Sequence, residues 1–150
     1  MFYQMQEGYL TLSEGDWQDR SVHMLAANHL PLKGINVVVA REALPAGVGL
    51  ADYIANQKSV LAKALTTFKL LADRAESVNG MPGHYLEFTW DNAGNAMHQI
   101  IIVISLKESV LNLTATTPGS PDERSRAELL AVMKSFQSGH APQPQEGVVK

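Results

Sequence analysis

The sequence predicts an α+β domain: a mostly antiparallel sheet of about six or seven strands with two helices, in the order βββαββββα. Three observations carry that prediction. Short β-branched or alternating runs are separated by turn residues at hairpin spacing, which makes most of the sheet antiparallel. A long stretch before the middle of the chain carries apolar residues at three- and four-residue spacing. A second helical stretch, near the end, opens with helix-start residues.

Residues from about 2 to 12 alternate loosely through Phe2, Tyr3, Tyr9, Leu10 and Leu12 and read as a first strand. Ser13-Glu14-Gly15-Asp16 supplies a turn. Residues from about 19 to 28 read as a second strand, and His29 to Gly34, with Pro31 inside, as its connection. Ile35-Asn36-Val37-Val38-Val39-Ala40-Arg41 is a third strand, rich in β-branched residues. Pro45, Gly47 and Gly49 then break the chain before a helix from about Leu50 to Leu70. Its stripe is Leu50, Tyr53, Ile54, Val60, Leu61, Ala64, Leu65 and Phe68.

A short strand is expected over Ala72 to Val78, closed by the turn Asn79-Gly80-Met81-Pro82-Gly83. His84 to Trp90 alternates, with Leu86, Phe88 and Trp90 on one face, and Asp91-Asn92-Ala93-Gly94-Asn95 is a hairpin loop. Residues from about 96 to 105 and 108 to 117 form two more strands. In the last helix Ser120 fits the N-cap, Pro121 the first helical position and Glu123 a capping box. Its stripe is Leu129, Leu130, Val132, Met133 and Phe136, with Gly139 as its end. Residues 1–138 read as one domain and residues 139–150, which include His140 and Pro142, as a polar tail.

Composition narrows the function classes. The chain has 150 residues, enough for one domain with its own core. Its formal net charge is −3 and its Lys and Arg residues are scattered, which argues against a nucleic-acid partner or a polybasic membrane patch. It has 0 cysteines, which excludes disulfides, thiolate metal sites and cysteine nucleophiles. No basic n-region and apolar h-region open the sequence, and no run reaches the ~20 apolar residues that span a bilayer. A cytoplasmic location without membrane insertion is the expectation.

Catalytic readings are weak. His23, His29, His84, His98 and His140 show no metal-ligand spacing, and no cofactor is expected. His98 and Glu87 fall on adjacent hairpin strands and would form a cross-strand pair in the right register, which the sequence does not fix; such a pair is more often a surface contact. Ser21 and Ser105 lack a nucleophile-elbow context. Gly47-Val48-Gly49 lacks the remaining parts of a phosphate loop and reads as a turn. Trp17 and Trp90 read as core anchors.

Two strands break the alternation expected of half-buried strands. Ile100 to Ile104 and Val37 to Ala40 are apolar on both faces, and Val22, Met24 and Ala26 add an apolar face to the second strand. A helix covering each face is one reading and a partly open apolar groove for a partner is the other, and two helices that cover the faces only partly would satisfy both. Gln57 falls inside the apolar stripe of the long helix, and Gln99 shares a face with Ile101 and Val103. Each amide either bonds an internal group or stands in the groove ready for a partner's backbone.

These features resemble the Eag-type chaperones of bacterial type VI secretion, within the wider DcrB-like family. The resemblance runs from Tyr3 to Phe136. It rests on Glu7-Gly8, on Trp17 with Asp19-Arg20-Ser21, and on Val37-Val38-Val39-Ala40-Arg41-Glu42. Leu50-Ala51-Asp52-Tyr53 with Gln57, His98-Gln99 with the Ile run, Leu113-Thr114-Ala115-Thr116 and Ser135-Phe136 complete it. It implies a PsbP-like α/β/α sandwich that pairs as a homodimer. It also implies a cytoplasmic adaptor that binds N-terminal transmembrane segments of a secreted effector and helps load it on the secretion spike. Carried over residue by residue, the family's groove falls on Val22, Met24, Val38, Ala40, Gln57, Leu61, Leu65, Gln99, Ile101 and Val103. Resembling sequences often carry Ser where this chain has Ala40, which removes one polar contact. A small-molecule or lipid-binding module using the same groove is the alternative, because a lipid tail and an apolar helix both present hydrocarbon.

Overall fold

A hairpin starts the chain. In the computed structural model, which describes residues 1–139 and 142, β1 (Phe2–Gln4) and β2 (Tyr9–Thr11) pair antiparallel as a separate two-stranded sheet. The single first strand expected over residues 2–12 is therefore two. The Met5 N–H donates to the Gly8 carbonyl at 2.7 Å and folds Met5-Gln6-Glu7-Gly8 into a turn.

The remaining strands are β3 (Val22–Ala26), β4 (Asn36–Ala43), β5 (Lys69–Ala75), β6 (Gly83–Asn92), β7 (Asn95–Ser105) and β8 (Ser109–Pro118). They form one six-stranded sheet in the order β3-β4-β8-β7-β6-β5, with every neighbouring pair antiparallel. The β6–β7 hairpin turns on Ala93 and Gly94, both at positive φ (51° and 90°), the backbone that a tight two-residue hairpin demands. At Gly83 a side chain has no room: a Cβ there would lie 2.6 Å from the Glu76 carbonyl oxygen and 2.7 Å from that of Val103.

Two helices complete the order, α1 (Leu50–Ala64) and α2 (Glu123–Lys134). The first is shorter than the expected Leu50 to Leu70. Leu65 leaves the helix in an extended conformation, and Thr67 takes a φ of 55°. The chain then enters β5, three residues earlier than the strand expected over Ala72 to Val78. Pairing decides the matter: Leu70 sits opposite Phe88, and the outer edge of β6 gains a ladder partner that a longer helix would have denied it. Phe68 meets the Phe88 ring at a centroid distance of 5.2 Å.

The start of α2 also moves. Asp122, not Ser120, is the N-cap, its Oδ1 accepting from the Ser125 N–H at 2.6 Å. A carboxylate there meets both the free amides and the positive end of the helix dipole, so Pro121 stays outside the helix. The helix ends at Lys134, before Gly139, and the Asn79 amide donates to the Phe136 carbonyl at 2.8 Å beyond that end. Almost all of the expected polar tail lies outside the described residues.

Each helix covers one sheet face, which gives an α/β/α sandwich. Ile100, Ile102 and Ile104 join Tyr85, Leu111 and Leu113 under Leu129 and Met133 of α2. On the other face Leu86, Val103 and Val110 lie under Tyr53 and Ile54 of α1. The isoleucine run is thus apolar on both sides because both sides are covered. Cover from α1 stops short of β3, whose five residues are all exposed.

Candidate functional site: an apolar strip beside α1

Register places the expected groove residues on one surface. Residues paired across antiparallel strands point to the same side, so the α1 face can be read in rows. One row runs Met24, Val38, Thr114, Ile101 and Leu86. The next runs Val22, Ala40, Asn112, Val103 and His84. On the other side of the first lie Ala26, Asn36, Thr116, Gln99 and Phe88. All seven expected strand residues therefore share the face that α1 only partly covers.

The helix contributes the rest. Leu50, Tyr53, Ile54, Gln57, Lys58 and Leu61 are its buried or half-buried positions at this spacing, so Gln57 and Leu61 lie on its sheet-facing side, while Leu65 is half-buried just beyond the helix end. Val60 and Ala64, expected in the stripe, are exposed instead. Gln57 lines a recess of ≈ 200 Å³ with Ala40, Leu86, Ile101, Val103, Asn112 and Thr114. Four of the expected site residues, Ala40, Gln57, Ile101 and Val103, thus meet in one cavity. Val22 and Met24 stand apart from it on the edge strand, 56% and 65% exposed. Val38 is the half-buried step between Met24 and Thr114.

The two glutamines separate. The Gln99 amide is spent inside the protein: its Oε1 accepts from the Trp90 indole at 2.8 Å and its Nε2 donates to Thr116 Oγ1 at 2.9 Å. The internal-bond reading holds for Gln99. The Gln57 side chain has no hydrogen-bond partner among the described residues and faces the recess, so its amide is the one available to a ligand. Beside it the Tyr53 hydroxyl donates to Glu42 at 2.9 Å and accepts from Asn112 Nδ2 at 2.7 Å. Burial, with help from Glu42, pushes the Tyr53 phenol up to about 12, so it remains a neutral donor. The surface is therefore mainly hydrocarbon with a few neutral hydrogen-bonding groups, suited to an apolar ligand that still carries backbone polar groups.

Asn112, Thr114 and Leu86 line the recess although sequence reasoning named none of them as site residues. The signal was present in the alternation of Asn112, Thr114 and Thr116, a polar file along one face of β8 whose partner rows could not be read without register.

The polar clusters elsewhere are structural. Glu87 is buried and accepts from Tyr85 Oη, His98 Nε2 and Arg126 Nη2, each at 2.6 Å, and from Arg126 Nε at 3.0 Å. The expected His98–Glu87 contact exists, but it lies in the interior and links β7 to β6, while Arg126 joins α2 to the sheet through the same carboxylate. Asp73 takes Lys58 Nζ at 2.7 Å and His84 Nε2 at 2.5 Å, which ties α1 to β5 and β6. Trp17, read as a core anchor, is 56% exposed, because the segment before β3 lies off the main sheet. Among the described residues no three His, Asp or Glu side chains converge as a metal site, and no helix is long and apolar enough to cross a membrane.

The DcrB family profile matches residues 7–135. No curated protein sequence gives a significant match. A Pseudomonas aeruginosa protein of unknown function, PA94, is similar over 97% of this chain and 98% of its own, with a TM-score of 0.72 and 24% identity. The cyanobacterial PsbP protein of Synechocystis sp. PCC 6803 aligns over 83% of this chain and 96% of its own (TM-score 0.56, 13% identity). LpqN, involved in cell envelope biogenesis of Mycobacterium tuberculosis, aligns over 81% of this chain and 82% of its own (TM-score 0.53, 14% identity). At these identities the likeness is one of fold.

Proposed function

The chain belongs to the DcrB family, and from that premise we propose that it is a cytoplasmic chaperone and adaptor for a type VI secretion effector. It binds the effector's N-terminal transmembrane segments, shields them from water and helps load the effector on the secretion spike, working as a homodimer. The observation that carries this reading is the partly covered apolar face, bounded by α1 on one side and by exposed Val22 and Met24 on the other. Four strands side by side span roughly 14 Å, which matches an α-helix with side chains at ~10–12 Å. The Eag-type pattern of residues supports the choice of occupant, since its groove positions fall on this one face.

The chemistry fits the cargo. A helix of ~20 apolar residues needs a substitute for lipid while it is in water, and burial returns ~25 cal/mol per Å² of apolar surface. The Gln57 amide, without a hydrogen-bond partner among the described residues, would take a small polar side chain or an exposed carbonyl and so fix the cargo's register. Nothing in the strip needs to be charged, and its lining side chains, Met24, Val38, Ile101, Gln57 and Thr114, are neutral.

A photo-crosslinking residue placed at Gln57, and separately at Val132 on the far side of α2, tests the assignment. The proposal expects covalent capture of an apolar helical peptide from position 57 and none from position 132. Extracted lipid bound in place of peptide, with no peptide crosslink, would favour the lipid-binding alternative.

A further inference from the structure

One turn legible in the sequence plays no part in the groove. Asn79-Gly80 is the single Asn-Gly pair in the chain; the other asparagines precede His, Val, Gln, Ala or Leu. Val78 and Met81 exchange two backbone hydrogen bonds, each at 2.9 Å, and so frame a two-residue turn. Asn79 and Gly80 take φ values of 47° and 83°, the left-handed backbone of a tight turn for which Asn-Gly is the preferred pair.

The Asn79 side chain reaches from this turn to the end of α2. Its Nδ2 donates to the Phe136 carbonyl at 2.8 Å and to the Lys134 carbonyl at 3.3 Å. The Lys134 carbonyl is among the last of the helix, which have no partner within it. Phe136 and Met81 pack against the core under α2, so the amide clasps turn and helix end to one cluster. Both of its N–H groups are spent on the clasp. A carboxylate, which has no donor, cannot replace it.

The same two residues are set up for a reaction with each other. Asn79 is exposed, and a Cβ at Gly80 would meet nothing within 4 Å. Among the described residues the Gly80 N–H has no backbone acceptor. We propose that Asn79 is a self-modification site whose reaction opens the clasp in one direction. Hydroxide takes the Gly80 N–H proton, and that nitrogen attacks Asn79 Cγ. The N–Cγ bond forms, the Cγ–Nδ2 bond breaks, and ammonia leaves with a proton from water. Water then opens the cyclic imide at either carbonyl to give aspartate or isoaspartate, and no oxidant or reductant enters. In the folded turn both Nδ2 hydrogens are held, so the ring closes from a locally opened state. Aspartate turns a carboxylate on two carbonyls at the negative end of the α2 dipole. Isoaspartate adds a methylene to the backbone and breaks the Val78–Met81 frame as well.

Incubation of the intact chain at mildly alkaline pH, followed by ion exchange and peptide mapping, is the test. The proposal expects a more acidic form whose amide-to-acid mass change lies at residue 79. It expects that form to appear at least ~10-fold more slowly in the folded chain than in urea. Hydrogen exchange reads the clasp itself. Asn79→Asp, which keeps a residue tolerant of positive φ, is expected to speed exchange at Met133 and Lys134 at least ~5-fold and to leave the central sheet unchanged. No acidic form, or one modified at another asparagine, would overturn the site. Equal rates in the folded and unfolded chain, or wild-type protection of the last α2 turn in Asn79→Asp, would overturn the clasp.

Discussion

Replacing Arg126 by Met should cost about 3 kcal/mol at neutral pH and almost nothing in acid. The Glu87 carboxylate has four donors on its two oxygens and a side chain 7% exposed. Burial alone would raise its pKa, but hydrogen bonds from Arg126, Tyr85 and His98 outweigh that and bring it from 4.5 to about 2. A carboxyl whose folded pKa is depressed contributes stability above its unfolded value and loses it as pH falls through the folded one. At ~1.4 kcal/mol per unit the full contribution is about 3 kcal/mol, present above pH ~4.5 and gone near pH ~2. Arg126 is the largest favourable partner, and its removal leaves the carboxylate short of two bonds. Arg126 is itself 39% exposed, so water relieves part of that deficit and holds the cost to the lower part of the ~3–5 kcal/mol range for broken buried pairs. Thermal melts should show Arg126→Met lower by roughly 6–12 °C at pH 7, with the two curves converging near pH 2–3. A difference under ~1 kcal/mol at pH 7, or one that is the same at pH 3 and pH 7, would refute the claim that this ion pair pins α2 to the sheet.

Other substitutions test separate parts of the account. Gly83→Ala should lose ~3 kcal/mol or fail to fold, because its Cβ would collide with two backbone carbonyls that cannot yield; denaturant titration reads it. Asp122→Ala should lose ~1 kcal/mol and fray the first turn of α2, visible as faster amide exchange at Ser125. Met24→Glu should leave stability within ~0.5 kcal/mol, since the side chain is already in water, while removing cargo binding. Ile101→Glu should unfold or strongly destabilise the protein, because Ile101 packs against the core under α1, so it cannot serve as a clean binding variant.

Much of the fold was legible because each long strand announced itself by β-branched residues and the turns by Asn-Gly and Ala-Gly pairs. The misread elements have separate causes. Thr66 to Leu71 continues an apolar helical rhythm, and only the long-range demand of the β6 edge for a partner turns that stretch into β5. Met5 to Gly8 contains a turn without Pro or Asn, so the first hairpin read as one strand. The site was legible within each strand, where period-2 arithmetic puts Val38 with Ala40 and Gln99 with Ile101 and Val103; that the two sets share one face came only with the register through β8. Asn112 and Thr114 entered only once β8 was seated between β4 and β7. For Gln99 the sequence could not reveal that Trp90 and Thr116 flank the amide.

The central claim is that this face substitutes for lipid around an apolar helix. Co-expression of a ~20-residue apolar helical segment with the wild-type chain and with Met24→Glu measures it, by the fraction of that segment that stays in solution after lysis. The account predicts a soluble one-to-one association of segment and chain surface with the wild type, and an insoluble segment beside a folded Met24→Glu protein. Equal solubility of the segment with wild type, with Met24→Glu and with no chaperone at all would contradict it.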